Sequence, residues 1–147
     1  MKILFASDIH GSAYYCRRLL DIYKETKASR MVILGDILYH GPRNDLPREY
    51  APKQVISMLN DMKKEIYAVR GNCEAEVDQM VLQFPVMADY CILNLDGRTF
   101  YATHGHIYNE NNLPPIQEGD ILIHGHTHVL KACLLYTSPS PRDRTRS

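Results

Sequence analysis

Short apolar runs that end abruptly in turns bearing histidine or carboxylate recur along this chain. They limit what it can fold into more than any other feature. Residues 2–7 (KILFAS), 31–34 (MVIL) and 66–69 (IYAV) are short apolar segments of this kind. Runs of that length without a polar alternate face suit strands buried on both sides. Helical patterns lie between them. Ser12 is placed to cap a helix predicted to run to about residue 26. Its apolar face is Cys16, Leu19, Leu20 and Tyr23, at i, i+3, i+4 and i+7. A long loop with Gly41, Pro42, Asn44 and Pro47 follows the second run, and Pro52 opens a second helix with Val55, Ile56 and Leu59 inward. Residues 74–84 read as a third helix, with Val77, Met80, Val81 and Phe84 inward. Alternating strands and helices imply a parallel sheet and an α/β fold. The second half turns to strands: residues 90–95 and 98–103 flank the hairpin signal Asp96-Gly97, and residues 121–123 form another short apolar strand.

Composition narrows the function classes. The chain has 147 residues, 45% of them hydrophobic and 23% charged, which is one domain's worth of ordinary globular sequence. Seventeen basic and seventeen acidic residues give a formal charge of zero, which argues against broad electrostatic capture of nucleic acid or membrane. No apolar run approaches the roughly 18 residues of a membrane span. The N-terminal run is too short for a secretory signal, so a cytoplasmic protein is expected. The four cysteines, 16, 73, 91 and 133, form no C-x-x-C pair, and reduced thiols suit that compartment. Histidine is the unusual residue: there are seven, and positions 104, 106, 124, 126 and 128 cluster late in the chain.

Composition breaks near position 133. The stretch CLLYTSPSPRDRTRS has neither strand nor helix period, and its first eleven residues resemble the translation of a transposase adaptor used in sequencing libraries. Residues 133–147 are therefore read as a non-native tail, and residues 1–132 as one domain that lacks its C-terminal strands. The tail carries three Arg and one Asp. Without it the chain has 14 basic and 16 acidic residues, a net charge of −2.

Five polar clusters each follow a predicted strand: Asp8-Ile9-His10, Gly35-Asp36, Gly71-Asn72-Cys73-Glu74, His104-Gly105-His106 and Gly125-His126-Thr127-His128. In open α/β sheets the carboxyl ends of the strands converge on one crevice, so the clusters predict one shared site. Asp, His and Asn supply oxygen and imidazole donors, a mixture that suits Mn, Fe, Ni or Zn more than a structural zinc site. In D-x-H and H-x-H, residues two apart on an extended segment point the same way. Each piece alone has a plainer reading: a turn, a surface pair, a loop residue holding its own backbone. The ordered set of five favours the site. Cys16 and Cys91 read as small buried apolar residues.

The ordered series resembles the calcineurin-like metallophosphoesterase family, whose hallmarks run D-x-H, G-D, G-N-H-[DE], H and G-H-x-H. The resemblance covers residues 1–132. It is closest to a bacterial phosphodiesterase subgroup, through FASDIHGS, VILGDILYHGPRN, AVRGNCEAEVDQM, THGH and GHTH. It implies a two-sheet sandwich flanked by helices, αββα, with the site at one edge. It also implies two divalent metal ions, Mn foremost, with Fe, Ni or Zn as alternatives. One ion is expected on Asp8, His10, Asp36 and His128, and the other on Asp36, Asn72, His104 and His126, with Asp36 bridging. The implied reaction is hydrolysis of a small-molecule phosphodiester by in-line attack of a metal-bridging hydroxide. Asn72 and Cys73 are the expected catalytic residues, and Arg43 and His106 the expected substrate contacts.

One departure stands out. Most of the family has His where this chain has Cys73, though the same G-N-C occurs in the closest subgroup. A thiol is a weak donor, neutral below a pKa near 8.5, so help to the leaving group is in question. Diesters with good leaving groups are then the expected substrates. Glu74 is expected behind the ligands or at a helix N-terminus. His124 and His40 are expected in structural roles. Two rival readings are a non-catalytic scaffold with the same fold, and an inactive fragment of an active parent whose unpaired sheet edge favours aggregation. A homo-oligomer is compatible with the sequence, but no pattern encodes it.

Overall fold

The computed structural model describes residues 2–126 and the backbone of Lys131–Leu134. In the first half, strands β1 (Ile3–Ala6), β2 (Arg30–Ile33) and β3 (Ile66–Ala68) alternate with helices α1 (Ala13–Thr26) and α2 (Pro52–Asn60). They form a parallel three-stranded sheet in the order β1-β2-β3. A short helix, α3 (Glu76–Val81), leads to a second sheet of β4 (Tyr90–Leu95), β5 (Arg98–Thr103), β6 (Ile121–His124) and β7 (Lys131–Leu134), in chain order. There β5 and β6 are parallel, while β4 and β7 pair antiparallel to their neighbours. The hairpin turn is the expected one: Asp96 and Gly97 both take positive φ, 50° and 79°, as a type I′ turn requires. Strand β7 runs across the composition break placed after Ala132.

The side-chain period of two sorts each strand between two cores. From β2, Met31 and Ile33 join Cys16, Val55 and Leu59 in a core beneath α1 and α2. Val32, and Leu34 just beyond the strand, face the other way. They pack with Val69, Leu93, Ala102 and Ile123 between the two sheets. This makes a two-sheet α/β sandwich, and β2 is buried on both faces, as its unbroken apolar run requires. Helix α1 starts where expected, with Ser12 Oγ accepting the Tyr15 N–H at 3.1 Å. Pro52 occupies the first turn of α2.

The third helix differs from expectation in length and face. It covers only Glu76–Val81, and Val77 and Met80 are 62% and 82% exposed, whereas Leu82 and Phe84 beyond it are buried. Side chains end it. Gln79 Nε2 donates to the carbonyls of Leu82 and Phe84, and its Oε1 accepts the Val86 N–H. Asn60, on α2, donates to the Val81 carbonyl and accepts the Gln83 N–H. The chain is thereby folded back before another turn can form. The buried anchors are the residues of that return rather than a helical stripe.

Candidate metal centre

The site forms where β1, β2, β3, β5 and β6 end, because each strand is followed at once by a tight turn. These turns demand unusual backbone. Asp8, His10, Asp36 and His126 all have φ between 51° and 72°, the left-handed region that non-glycine residues seldom adopt. Such strain persists only where surrounding structure over-determines it, and it marks functional sites. Interlocking amides hold the turns together. The Asp8 N–H donates to the Gly35 carbonyl at 3.1 Å, His10 N–H to the Asp36 carbonyl at 2.9 Å, and Gly125 N–H to the His104 carbonyl at 2.8 Å. Close approach at position 71 requires glycine, since a Cβ there would collide with Asp36 Oδ1 and lie 2.8 Å from the Asp36 nitrogen.

Glu74 locks two of these turns from below. Its Oε1 accepts the N–H groups of Asp36 (2.8 Å) and Gly71 (2.6 Å), and its Oε2 accepts that of Ile37 (2.8 Å). The carboxylate lies in the loop before α3 rather than on a helix face. Burial pushes its pKa up, against the pull of the three amides. Ser7 Oγ donates to Asp8 Oδ2 at 2.6 Å, and the His126 N–H reaches the same oxygen at 3.2 Å.

Above this frame the donor atoms converge. His104, fully buried, directs Nδ1 at the Leu34 carbonyl at 2.6 Å. A carbonyl only accepts, so Nδ1 carries the proton and Nε2 of the neutral ring carries a lone pair. That Nε2 lies 3.3 Å from Asp36 Oδ2, 2.9 Å from Asn72 Oδ1 and 3.0 Å from His126 Nδ1. His10 is oriented the same way. Its Nδ1 meets the Tyr39 carbonyl at 2.8 Å, and its Nε2 faces Asp8 Oδ1 at 3.3 Å and Asp36 Oδ2 at 3.6 Å. Lone pairs aimed at carboxylate oxygens at these distances repel one another unless positive charge lies among them. Divalent cations fit that requirement, and imidazoles whose other N–H is held by a carbonyl are typical metal ligands. Protons answer it where metal is lacking. The His10 pKa is raised, with hydrogen bonding to Asp8 leading over the opposing effect of burial. For His104, burial is the largest influence and acts downward. Asp36, Asp8 and the Leu34 carbonyl together outweigh it, so its pKa also rises.

Of the expected ligands, Asp8, His10, Asp36, Asn72, His104 and His126 are thus brought together. His128 lies outside the described residues. Two sets of donor atoms each fall within 4.8 Å of one another: Asp36, His104 and His126, and His10, Asp36 and Cys73. A cleft of about 630 Å³ opens over them, lined also by Tyr39, Arg43 and Asn72. Arg43 is exposed on its rim, on a loop pinned by Asn44 Nδ2 donating to the His40 carbonyl at 2.8 Å. His106 lies beside them, its ring edge-on to that of His104 at 5.3 Å and tilted against that of His126 at 6.2 Å. Burial, then the charges of His104, Arg70 and His126, lower its pKa. Burial foremost, and then Asp36, Glu74 and Asp8, push the Cys73 thiol up to about 12.

Two other histidines have structural surroundings. His124 is buried with Nε2 2.9 Å from Glu110 Oε2. His40 sits edge-on between the rings of Tyr39 and Tyr50. Sequence reasoning missed the Leu34 and Tyr39 carbonyls, which orient the two imidazoles. They act through the backbone and leave no side-chain signal. It also missed the grip of Glu74 on three amides, for which the Gly71–Glu74 spacing of three was the available cue.

Residues 1–134 match a family described as the calcineurin-like phosphoesterase superfamily domain. The chain is 47% identical over 129 residues to phosphodiesterase YfcE of Escherichia coli K12, covering 88% of this chain and 70% of that protein. A solved structure of YfcE, described as a phosphoesterase from E. coli, superimposes with a TM-score of 0.85 at 48% identity, over 87% of this chain and 70% of the other. An archaeal phosphodiesterase structure shares the fold at a TM-score of 0.51 and 22% identity, over 72% of this chain and 60% of the other. With five strand ends delivering paired Asp, His and Asn donors to one cleft, the chain belongs to the calcineurin-like phosphoesterase superfamily.

Proposed function

We propose that this protein is a phosphodiesterase dependent on two divalent metal ions. Its relative YfcE is named a phosphodiesterase. The observation that carries the two-ion reading is the position of Asp36 Oδ2, 3.3 Å from His104 Nε2 and 3.6 Å from His10 Nε2. A carboxylate shared between two imidazoles that face it from separate strand ends has the arrangement of a bridging ligand. Asp8, His10, Asp36 and His128 would hold one ion, and Asp36, Asn72, His104 and His126 the other. Bound there, Mn²⁺ ions would supply Lewis acidity and a water activated near neutral pH.

The remaining residues have separable tasks. Two carboxylates against two divalent cations leave the site cationic, which favours an anionic phosphate ester. Arg43, on the cleft rim, supplies a guanidinium suited to a phosphate oxygen. Asn72 and Cys73 line the cleft, and in this reading Asn72 would contact the phosphoryl group and Cys73 would face the leaving group. His106 buttresses His104 and contacts substrate only at the margin. A neutral thiol is a poor proton donor, so diesters with good leaving groups are the preferred class. Cys16, Cys73 and Cys91 are free thiols, which supports a cytoplasmic setting, and no helix among the described residues is long and apolar enough to cross a membrane.

Hydrolysis of bis-p-nitrophenyl phosphate with added Mn²⁺ tests the proposal. Wild-type activity should require the metal, and Asp36→Asn should lower it by at least about a hundredfold, the scale of losing one electrostatic group of the centre. Equal rates with and without metal in a folded protein would overturn the reading.

A further inference from the structure

The cleft holds one donor that the proposed ligand groups leave unused. Cys73 Sγ, one His10 nitrogen and one Asp36 oxygen all lie within 4.8 Å of one another. His10 and Asp36 are 7% and 2% exposed, so the cluster is built into the protein rather than gathered on its surface. Cys73 is anchored beside Asp36, because its backbone N–H donates to Asp36 Oδ1 at 2.9 Å. Asn72 Nδ2 lies 3.6 Å from Sγ, and Gly41 is close enough that a Cβ there would sit 3.6 Å from the sulfur, in ordinary van der Waals contact. Bonds of about 2.0–2.3 Å from a cation to sulfur, imidazole and carboxylate are compatible with donors this close. The companion set of Asp36, His104 and His126 contains no sulfur.

Donor softness separates the two halves. Thiolate favours zinc and other soft ions, whereas Mn²⁺ is served by carboxylate, carbonyl and water. We propose that Cys73 is a thiolate ligand that makes the His10–Asp36 half of the centre a site for thiophilic divalent cations such as Cd²⁺ and Zn²⁺. Mn²⁺ is held there by nitrogen and oxygen alone. As the sulfur–metal bond forms, the S–H bond breaks and its proton leaves to solvent, with no change in oxidation state. This rests on the two-metal reading and deepens it: one centre offers two sites of unequal softness, and a soft ion occupies the catalytic cleft through a residue that a hard ion ignores.

The test is Cd²⁺ titration of the full chain stripped of metal, followed by the ultraviolet thiolate-to-cadmium charge-transfer band, with Mn²⁺ binding measured in parallel by electron paramagnetic resonance. The band should appear in the wild type, vanish in Cys73→Ser and Cys73→Ala, and persist in Cys91→Ser and Cys133→Ser. Cys73→Ser should weaken Cd²⁺ by about tenfold or more, at least the scale of losing a group that supports a ligand. It should leave Mn²⁺ within about threefold, since a hard ion does not use the sulfur. A measurement without variants runs alongside: Cd²⁺ should protect Cys73 from iodoacetamide, located by mass spectrometry, and Mn²⁺ should not. A band that survives in Cys73→Ser, Cd²⁺ binding without a band, or no protection overturns the thiolate ligand. Retained Mn²⁺ binding then keeps the two-metal reading. Failure of both ions to bind overturns both.

Discussion

Glu74 shows how much of this centre depends on a residue that holds no candidate ligand position. Its two oxygens accept backbone N–H groups from Asp36, Ile37 and Gly71, tying the turn after β2 to the turn after β3. Hydrogen bonds to a charged acceptor contribute about 1.5–3 kcal/mol each, and a buried donor left unpaired costs about as much again. Glu74→Gln replaces one acceptor oxygen with an NH₂ that faces an amide donor. It should lower unfolding free energy by at least about 2 kcal/mol in urea denaturation. Metal affinity should fall with it, because Asp36 loses its register against Gly71. At Cys73 the expected change is chemical. Cys73→His restores a group that can donate a proton, and general-acid help is worth about 10²–10⁴. Monoester turnover should rise by at least tenfold relative to diester turnover on that scale. An unchanged ratio would mean that the cysteine does not limit the reaction. At this scale the donors were legible in the sequence, because metal chemistry restricts which side chains can serve. Their orienting partners were not, because the carbonyls of Leu34 and Tyr39 could belong to any residue.

Elements were readable where one local pattern decides them. Strands β4 and β5 match their predicted limits because the Asp96-Gly97 turn sets both ends of the hairpin. Helix α1 is delimited by the Ser12 cap and by Lys27, which closes it in the left-handed conformation at φ 56°. Helix α3 escaped this logic. Apolar spacing placed Val77, Met80, Val81 and Phe84 inward, yet Gln79 and Asn60 fold the chain back, so that Phe84 is buried together with Leu82 while Val77, Met80 and Val81 are exposed. The two readings agree on Phe84 and differ at Met80. Met80→Gln should change stability by no more than about 0.5 kcal/mol. Phe84→Ala should cost about 3–5 kcal/mol. Thermal or urea denaturation of Met80→Gln, with Phe84→Ala as the buried reference, decides between a helical stripe and a buried return.

Across the whole molecule, the two sheets bring like charge and lone pairs into one small volume, and stability becomes coupled to cations. In the metal-free protein His10 and His104 titrate above their ordinary value of 6.5. A raised folded-state pKa contributes stability that is fully present below the unfolded pKa and is lost as pH rises through the folded value. The melting temperature of the stripped protein should therefore fall as pH climbs from 6.5 upward. Mn²⁺ should remove that slope by replacing the protons. At a hundredfold excess over its Kd it should add about 2.7 kcal/mol. Scanning calorimetry with and without Mn²⁺ across that range checks both, and a stripped protein whose stability rises with pH would contradict the orientation given to the two imidazoles.

What the sequence by itself determined is the inventory and its local setting: apolar runs that must be strands, turns that must follow them, and a donor set of Asp, His and Asn suited to divalent metals. These are short-range properties, written in spacing and residue type. Only the tertiary structure decided which donors meet. Asp8 and the His126 amide are 118 residues apart along the chain yet 3.2 Å apart in space, because β1 and β6 lie in different sheets of one sandwich and end at the same edge. The tertiary structure also decided that Asp36 stands between two imidazoles, that Cys73 faces His10, and that Glu74 clamps the turns from beneath. Contacts between backbone amides and distant carboxylates carry no periodicity. They exist only once packing of the two sheets has set the distances.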